Sequence, residues 1–172
     1  NTISAVTRRD PVKARELTNM IKKTSRSNLK QNINTVNLKD ELAHVNAYLT
    51  IEKARFTDRL EVEWDIDPQL YESQLPSFTL QPLVENAIKH GISNMLEGGK
   101  VKISSEAFEG GFKLTVEDNA GNYQKPSQDH VGLGMEIVDK RLTNFFGQDS
   151  ALKIESQPQQ FTRMSFIIPI LK

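Results

Sequence analysis

The 172 residues set 22 lysines and arginines against 22 aspartates and glutamates and contain no cysteine. That length holds one ordinary core with a helical extension, and the even charge balance leaves no basic excess to neutralise a phosphate backbone, which excludes nucleic acid as an expected partner. Disulfides, thiolate metal sites and a cysteine nucleophile are excluded as well, and the most apolar stretch, Phe166 to Leu171, is far shorter than a bilayer span and carries Pro169, so no membrane contact is expected from these residues.

Asp10-Pro11 places a capping residue before a proline at a first helical position, dividing a short opening helix from a second that runs toward Leu29. Asn37 is set to cap the next helix, with Asp40 and Glu41 in its first turn. Leu38, Leu42, Val45, Leu49 and Phe56 then recur at alternating four- and three-residue steps, one of them doubled. Such a seam fits a helix packed on its own domain as well as one packed on another chain. From Leu60 to Ile66 strict alternation predicts a strand, closed by Pro68. Pro76 opens a predicted helix that stops at Gly91, with Leu80, Leu83, Val84, Ala87 and Ile88 on one face. Val101 to Phe108 and Phe112 to Glu117 predict an antiparallel pair around the turn Glu109-Gly110-Gly111. Asn119 to Val131 reads as a mobile loop and Met135 to Phe146 as a helix ended by Gly147. Leu152 to Glu155 with Met164 to Ile168 reads as a closing strand pair.

Three places along this order carry chemistry. On the helix ending at Gly91, Glu85, Asn86, Lys89 and His90 fall within an arc of about 140° opposite the apolar set. A carboxylate and an amide oxygen suit a hard divalent cation, and an ammonium and an imidazole suit phosphate oxygens; the same face also reads as a plain solvated one. Asp118 ends a predicted strand just before Asn119-Ala120-Gly121, where it can accept a hydrogen bond from an exocyclic amine or simply make a turn. Gly132-Leu133-Gly134 stands directly before a helix, whose free N–H groups favour phosphate. There is no Gly-Lys-Ser/Thr P-loop and no full Gly-x-Gly-x-x-Gly.

Glu85-Asn86-Ala87-Ile88-Lys89-His90-Gly91, Asp118-Asn119-Ala120-Gly121 and Gly132-Leu133-Gly134, in that order, resemble the N, G1 and G2 boxes of the GHKL ATP-binding superfamily. Leu80-Gln81-Pro82-Leu83-Val84 ahead of the first box is similar to the LytS type of sensor histidine kinase. So are Glu41-Leu42, Tyr48-Leu49, Ile51-Glu52, Arg55-Phe56 and Val138-Asp139-Lys140-Arg141-Leu142. Asp118 to Tyr123 is closest to the YehU (BtsS) branch of that type. The resemblance implies an α+β fold, a two-layer α/β sandwich of the Bergerat kind with a mixed, mostly antiparallel sheet over residues 58–172. Residues 1–57 would be helices from a dimerisation and histidine-phosphotransfer bundle.

The resemblance also implies ATP and Mg2+ as ligands. Asn86 would hold the metal, Glu85 would act as base or polarising group, and Lys89 and His90 would lie near phosphates. Asp118 would take the adenine amine with Gly121 beside the base, Gly132 and Gly134 would hinge a lid over the triphosphate, Thr162 would sit by adenine, and Asn119 and Leu133 would be further ATP-binding residues. Two departures stand beside that pocket: Asn122 and Phe161 occupy positions where the family commonly has glycine. Asn1-Thr2-Ile3 looks like the end of the phosphoacceptor stretch, so the acceptor histidine is expected before residue 1. His44, His90 and His130 fall outside that motif, and these residues alone are expected to bind nucleotide without phosphorylating themselves. By resemblance the whole protein is a homodimer at a bacterial inner membrane, with this part cytoplasmic and a LytTR-type response regulator as its partner. Two alternatives stay open: another GHKL ATPase or anti-sigma-factor kinase, and a non-catalytic, nucleotide-gated interaction module.

Overall fold

A computed structural model describes residues 34–96, 98–123 and 133–170. The helices expected before Leu29 and most of the expected loop, with His130 and Gly132, therefore lie outside the described residues. The described chain enters through a short strand, β1 (Thr35–Asn37), and turns directly into helix α1 (Leu38–Phe56). Asn37 stands at the cap position with extended backbone, but its side chain makes no cap. Its amide donates to Glu72 and accepts from Gln74 instead. The Ser73 and Tyr71 carbonyls take the first free N–H groups of the helix, from Leu38 at 2.9 Å and Lys39 at 3.0 Å.

β1 pairs antiparallel with β3 (Gln74–Pro76). This corrects the reading of Pro76 as a helix opener: Pro76 ends a strand of a two-stranded ribbon, an edge position where a missing N–H is tolerated. Helix α2 begins only at Leu80, spans Leu80–Asn86 and runs on as a π turn over Ala87–Gly91.

β2 (Leu60–Asp65), β4 (Gly99–Phe108), β5 (Gly111–Asp118), β6 (Lys153–Gln157) and β7 (Phe161–Pro169) form one sheet in the order β2-β4-β5-β7-β6. β2 runs parallel to β4 and every other neighbour is antiparallel, the mixed sheet expected from the sequence. Helix α3 (Leu133–Phe146) follows β5 in the described chain and stops at Gly147, whose φ of 103° suits a residue without Cβ. Alternation sends Val101, Ile103, Leu114, Val116, Met164, Phe166 and Ile168 toward the helices. They join Leu38, Val45, Leu49, Phe56, Leu80, Val84, Ile88, Val138 and Leu142 in a single core. The α1 seam thus packs on its own domain, with Leu42 half-buried at its flank.

The other face of the sheet is wet. Across all five strands, in register, stand Glu63, Lys102, Glu117, Arg163 and Glu155, alternating in sign. Lys102 lies 3.0 Å from Glu63, and Arg163 lies 2.6 Å from Glu117 and 3.6 Å from Glu155. Exposed pairs of this kind add little stability, but the row runs a band of charge across the middle of this face. Among the described residues no helix is long and apolar enough to cross a membrane.

Candidate nucleotide-binding site

Leu80, Leu83, Val84, Ala87, Ile88 and Gly91 are buried on α2 and its π turn, which leaves Glu85, Lys89 and His90 exposed and Asn86 half-buried. The expected polar face therefore forms, though not on a regular α-helix. The last turn closes through wider i→i+5 bonds, a local insertion that recurs at functional sites. Gln81 donates to the Glu85 carboxylate at 2.8 Å, and the Asn86 amide nitrogen lies 4.0 Å from the sulfur of buried Met164 on β7. Helix α1 flanks this face: burial first, then the charges of Glu52 and Glu85, push the Tyr48 phenol above its ordinary range.

Asp118, only 3% exposed, closes β5 beneath the π turn. Its Oδ1 accepts from the Ala120 N–H at 2.9 Å and the Gly121 N–H at 3.3 Å. Burial raises its pKa above the usual carboxylate value, and those two backbone donors act against the rise. The Thr162 backbone acts as a third donor in the same sense, and a carboxylate still has acceptor capacity for one more. In register beside it on β7 stands Thr162, also 3% exposed, whose hydroxyl lies 3.1 Å from that of Ser156.

What joins the helix to this acid is Gly91. A Cβ at Gly91 would stand 2.9 Å from the Asp118 Cγ and 3.0 and 3.1 Å from its two oxygens. Only a glycine lets the end of the polar face rest on the carboxyl group. The sequence offered Gly91 merely as a helix stop. Gly91→Ala should leave the fold in place at a penalty of about 1–3 kcal/mol from overpacking. It should also turn the Asp118 carboxyl aside and weaken Mg-ATP binding roughly tenfold; titration calorimetry beside a melting curve checks both.

Other expected residues are placed differently. Asn119 spends its side chain on β4, donating to the Gly98 carbonyl and accepting from the Lys100 N–H, each at 2.8 Å. It ties the start of β4 to the end of β5, with one amide N–H left over. Gly121, with φ 63°, packs against the backbone of the β6–β7 turn. Leu133 begins α3, and Gly134 in its first turn has open space where a Cβ would stand. Asn122 is exposed. Phe161 lies on the wet face with the Arg163 guanidinium 4.8 Å over its ring, opposite in alternation to Thr162. Glu41, expected as a first-turn acid of α1, is buried at 2% exposure and accepts three backbone N–H groups at the start of α2. No local signal marks it, because its targets lie up to 40 residues away.

The two-layer sandwich thus sets a buried strand-end acid, Asp118, under the polar end of α2. A family model described as histidine kinase-, DNA gyrase B-, and HSP90-like ATPase matches residues 73–172, and one described as histidine kinase matches residues 1–60. The chain belongs to the histidine kinase-, DNA gyrase B- and HSP90-like ATPase family. It is 48% identical over 169 residues to the sensor histidine kinase BtsS of Escherichia coli K12, covering 98% of this chain and 30% of that protein. It is 36% identical over 181 residues to the sensor protein LytS of Staphylococcus saprophyticus, at 98% and 30% coverage. The chain thus spans about a third or less of the length of these curated relatives. Among solved structures it is similar in fold to the Acinetobacter baumannii histidine kinase AdeS, at TM-score 0.54 and 18% identity over 88% of this chain and 75% of that one. The catalytic domain of histidine kinase ThkA matches at TM-score 0.54 and 19% identity over 81% and 96%.

Proposed function

We propose that this chain is the ATP-binding and catalytic part of a two-component sensor histidine kinase. It moves the γ-phosphoryl of Mg-ATP to a histidine, which then passes it to an aspartate of a response regulator. The observation that carries the reading is the seating of Gly91 on Asp118, because it makes one site of a buried acceptor and a face of carboxylate, amide, ammonium and imidazole. Asp118 takes the adenine amine, and Thr162 stands beside it in register. Asn86 and Glu85 offer the oxygens suited to Mg2+. Among the described residues no three acidic or histidine side chains gather, which fits a metal that keeps waters and phosphate oxygens as its other ligands. The cation neutralises charge on the β- and γ-phosphates when bound.

Lys89 and His90, both exposed, meet phosphate oxygens, and Glu85 polarises or deprotonates the attacking imidazole. The bond from the γ-phosphorus to the bridging oxygen breaks, a P–N bond forms, and ADP leaves, so the chain contributes chiefly position and charge. The acceptor histidine is none of His44, His90 or His130. The whole protein works as a homodimer at a bacterial inner membrane, with this part cytoplasmic and a LytTR-type regulator as partner. Phe161, held under Arg163 on the wet face, leaves the adenine side of β7 to Thr162, which favours a binding-competent pocket over a nucleotide-free module.

Calorimetry of the 172-residue chain with Mg-ATP should show binding, and labelled ATP should leave no acid-labile phosphate on it. The intact kinase should acquire that label. Heat absent from the titration sinks the nucleotide reading, and phosphate release without any labelled protein points to a water-activating ATPase.

A further inference from the structure

We infer that Glu41 is a positioning residue for phosphoryl transfer, fixing the start of α2 and so the placement of Glu85 and Asn86. This rests on the function proposed above and adds to it a residue that touches neither nucleotide nor metal. The Glu41 Oε1 accepts from the N–H groups of Leu80 at 3.0 Å and Gln81 at 3.4 Å, and its Oε2 from that of Phe78 at 3.0 Å. These are the donors that a helix start leaves open. Thr79, at the cap position, supplies no side-chain cap and bonds instead to the Pro76 carbonyl at 2.6 Å. The cap therefore comes from a different helix. Burial pushes the Glu41 carboxyl above its ordinary value, and the three backbone donors and the charge of His44 act against that rise without cancelling it.

The turn it holds is neither relaxed nor isolated. Phe78 has φ 61°, a conformation that bulky residues seldom keep unless their surroundings impose it. On the other side of the turn, the Ser77 carbonyl accepts from the Arg141 guanidinium of α3 at 3.2 Å, and the Ser77 N–H donates to the Asn34 carbonyl at 2.8 Å. Residues 77–81 are thus gripped by α1 and by α3, the helix that follows the expected lid. Glu85 lies five residues beyond Leu80, about 7.5 Å along a helix axis, so a small tilt at the anchor is carried directly to the metal and phosphate face. Asp118 and Thr162 stand on the sheet, fixed by their own strand bonds. Glu41 should accordingly govern the transfer rate and not adenine binding.

The test is made in the intact kinase with Glu41→Gln, which keeps shape but turns an amide N–H toward backbone donors. The rate of histidine phosphorylation at saturating Mg-ATP should fall about tenfold or more, as for an ångström-scale misplacement, while magnesium-free ADP binds within about threefold of wild type. Arg141→Ala, which releases the same turn from the opposite side, should lower the rate in the same way and serves if Glu41→Gln does not fold. A rate within about twofold of wild type for either variant overturns the inference. So does ADP affinity that falls in step with the rate, since that marks general loss of fold. A wild-type kinase that binds ADP yet labels no histidine removes the functional reading first, and is told apart because the variants then have no rate to lose.

Discussion

Asp118→Asn should weaken Mg-ATP binding by about 2–4 kcal/mol, roughly 30- to 1,000-fold, without lowering the melting temperature. The side chain has one orientation to choose. If the new amide oxygen keeps the Ala120 and Gly121 N–H bonds, 2.9 and 3.3 Å in the parent, the NH2 group faces the adenine amine, donor against donor. If it flips, the NH2 group meets two backbone donors at 3% exposure, which is worse. Stability moves the other way. Burial raises the folded pKa of Asp118 above 3.8, so ionisation disfavours the folded state, and stability is lost as pH rises from 3.8 through the folded value. Asparagine cannot ionise, so the variant should melt at or above wild type at pH 7, and that margin should vanish below pH 3.8, where both states of the parent are protonated. Wild-type ATP affinity should itself decline as pH falls through the raised pKa, since a protonated acid loses acceptor capacity. Unchanged affinity in Asp118→Asn would show that the adenine sits elsewhere.

The sequence makes the sheet and the polar helix legible because both are written in local period. Leu60-Glu61-Val62-Glu63-Trp64-Asp65 alternates, and β2 spans those residues; Leu80, Leu83, Val84, Ala87 and Ile88 follow helical spacing, and all are buried. Asp118 at a strand end is legible for the same reason. What escapes is everything fixed by chain segments far apart. Nothing around Pro76 announces that Thr35 will pair with it, so a proline that suits a helix start ends a strand. Nothing in Asn119 says that its amide will bond to Gly98 and Lys100, since turn residues look alike in sequence whatever their amides meet. Glu41 reads as an ordinary first-turn acid, yet it caps another helix. The seam of α1 has the spacing of an intermolecular contact, but Val45 and Leu49 meet their own sheet and helices.

Gly121→Ala is the change expected to damage the fold most, and a second glycine shows why. Both Gly121 and Gly110 hold left-handed backbone, with φ of 63° and 102°. For alanine that conformation costs about 1–2 kcal/mol at either place. At Gly110 nothing lies within 4 Å of the added methyl, so the backbone term is the whole effect. At Gly121 the methyl would stand 2.0 Å from the Gln157 carbonyl oxygen and 2.8 and 2.9 Å from the Gln159 and Gln160 nitrogens. Those atoms are backbone, and the Gln160 N–H closes the β6–β7 turn on the Gln157 carbonyl at 3.0 Å, so no rotamer relieves the collision. The turn must move, and with it Ser156 at the end of β6 and Thr162 at the start of β7. Gly121→Ala should therefore destabilise by about 3–5 kcal/mol, lowering the melting temperature by about 10 °C or more. Gly110→Ala should lose about 1–2 kcal/mol and bind Mg-ATP as wild type does. Equal melting temperatures for the two variants would mean that the turn yields freely and that Gly121 serves only its backbone angle. A larger loss at Gly121, accompanied by lost ATP affinity, would instead tie the β6–β7 turn to the pocket that Asp118 and Thr162 share.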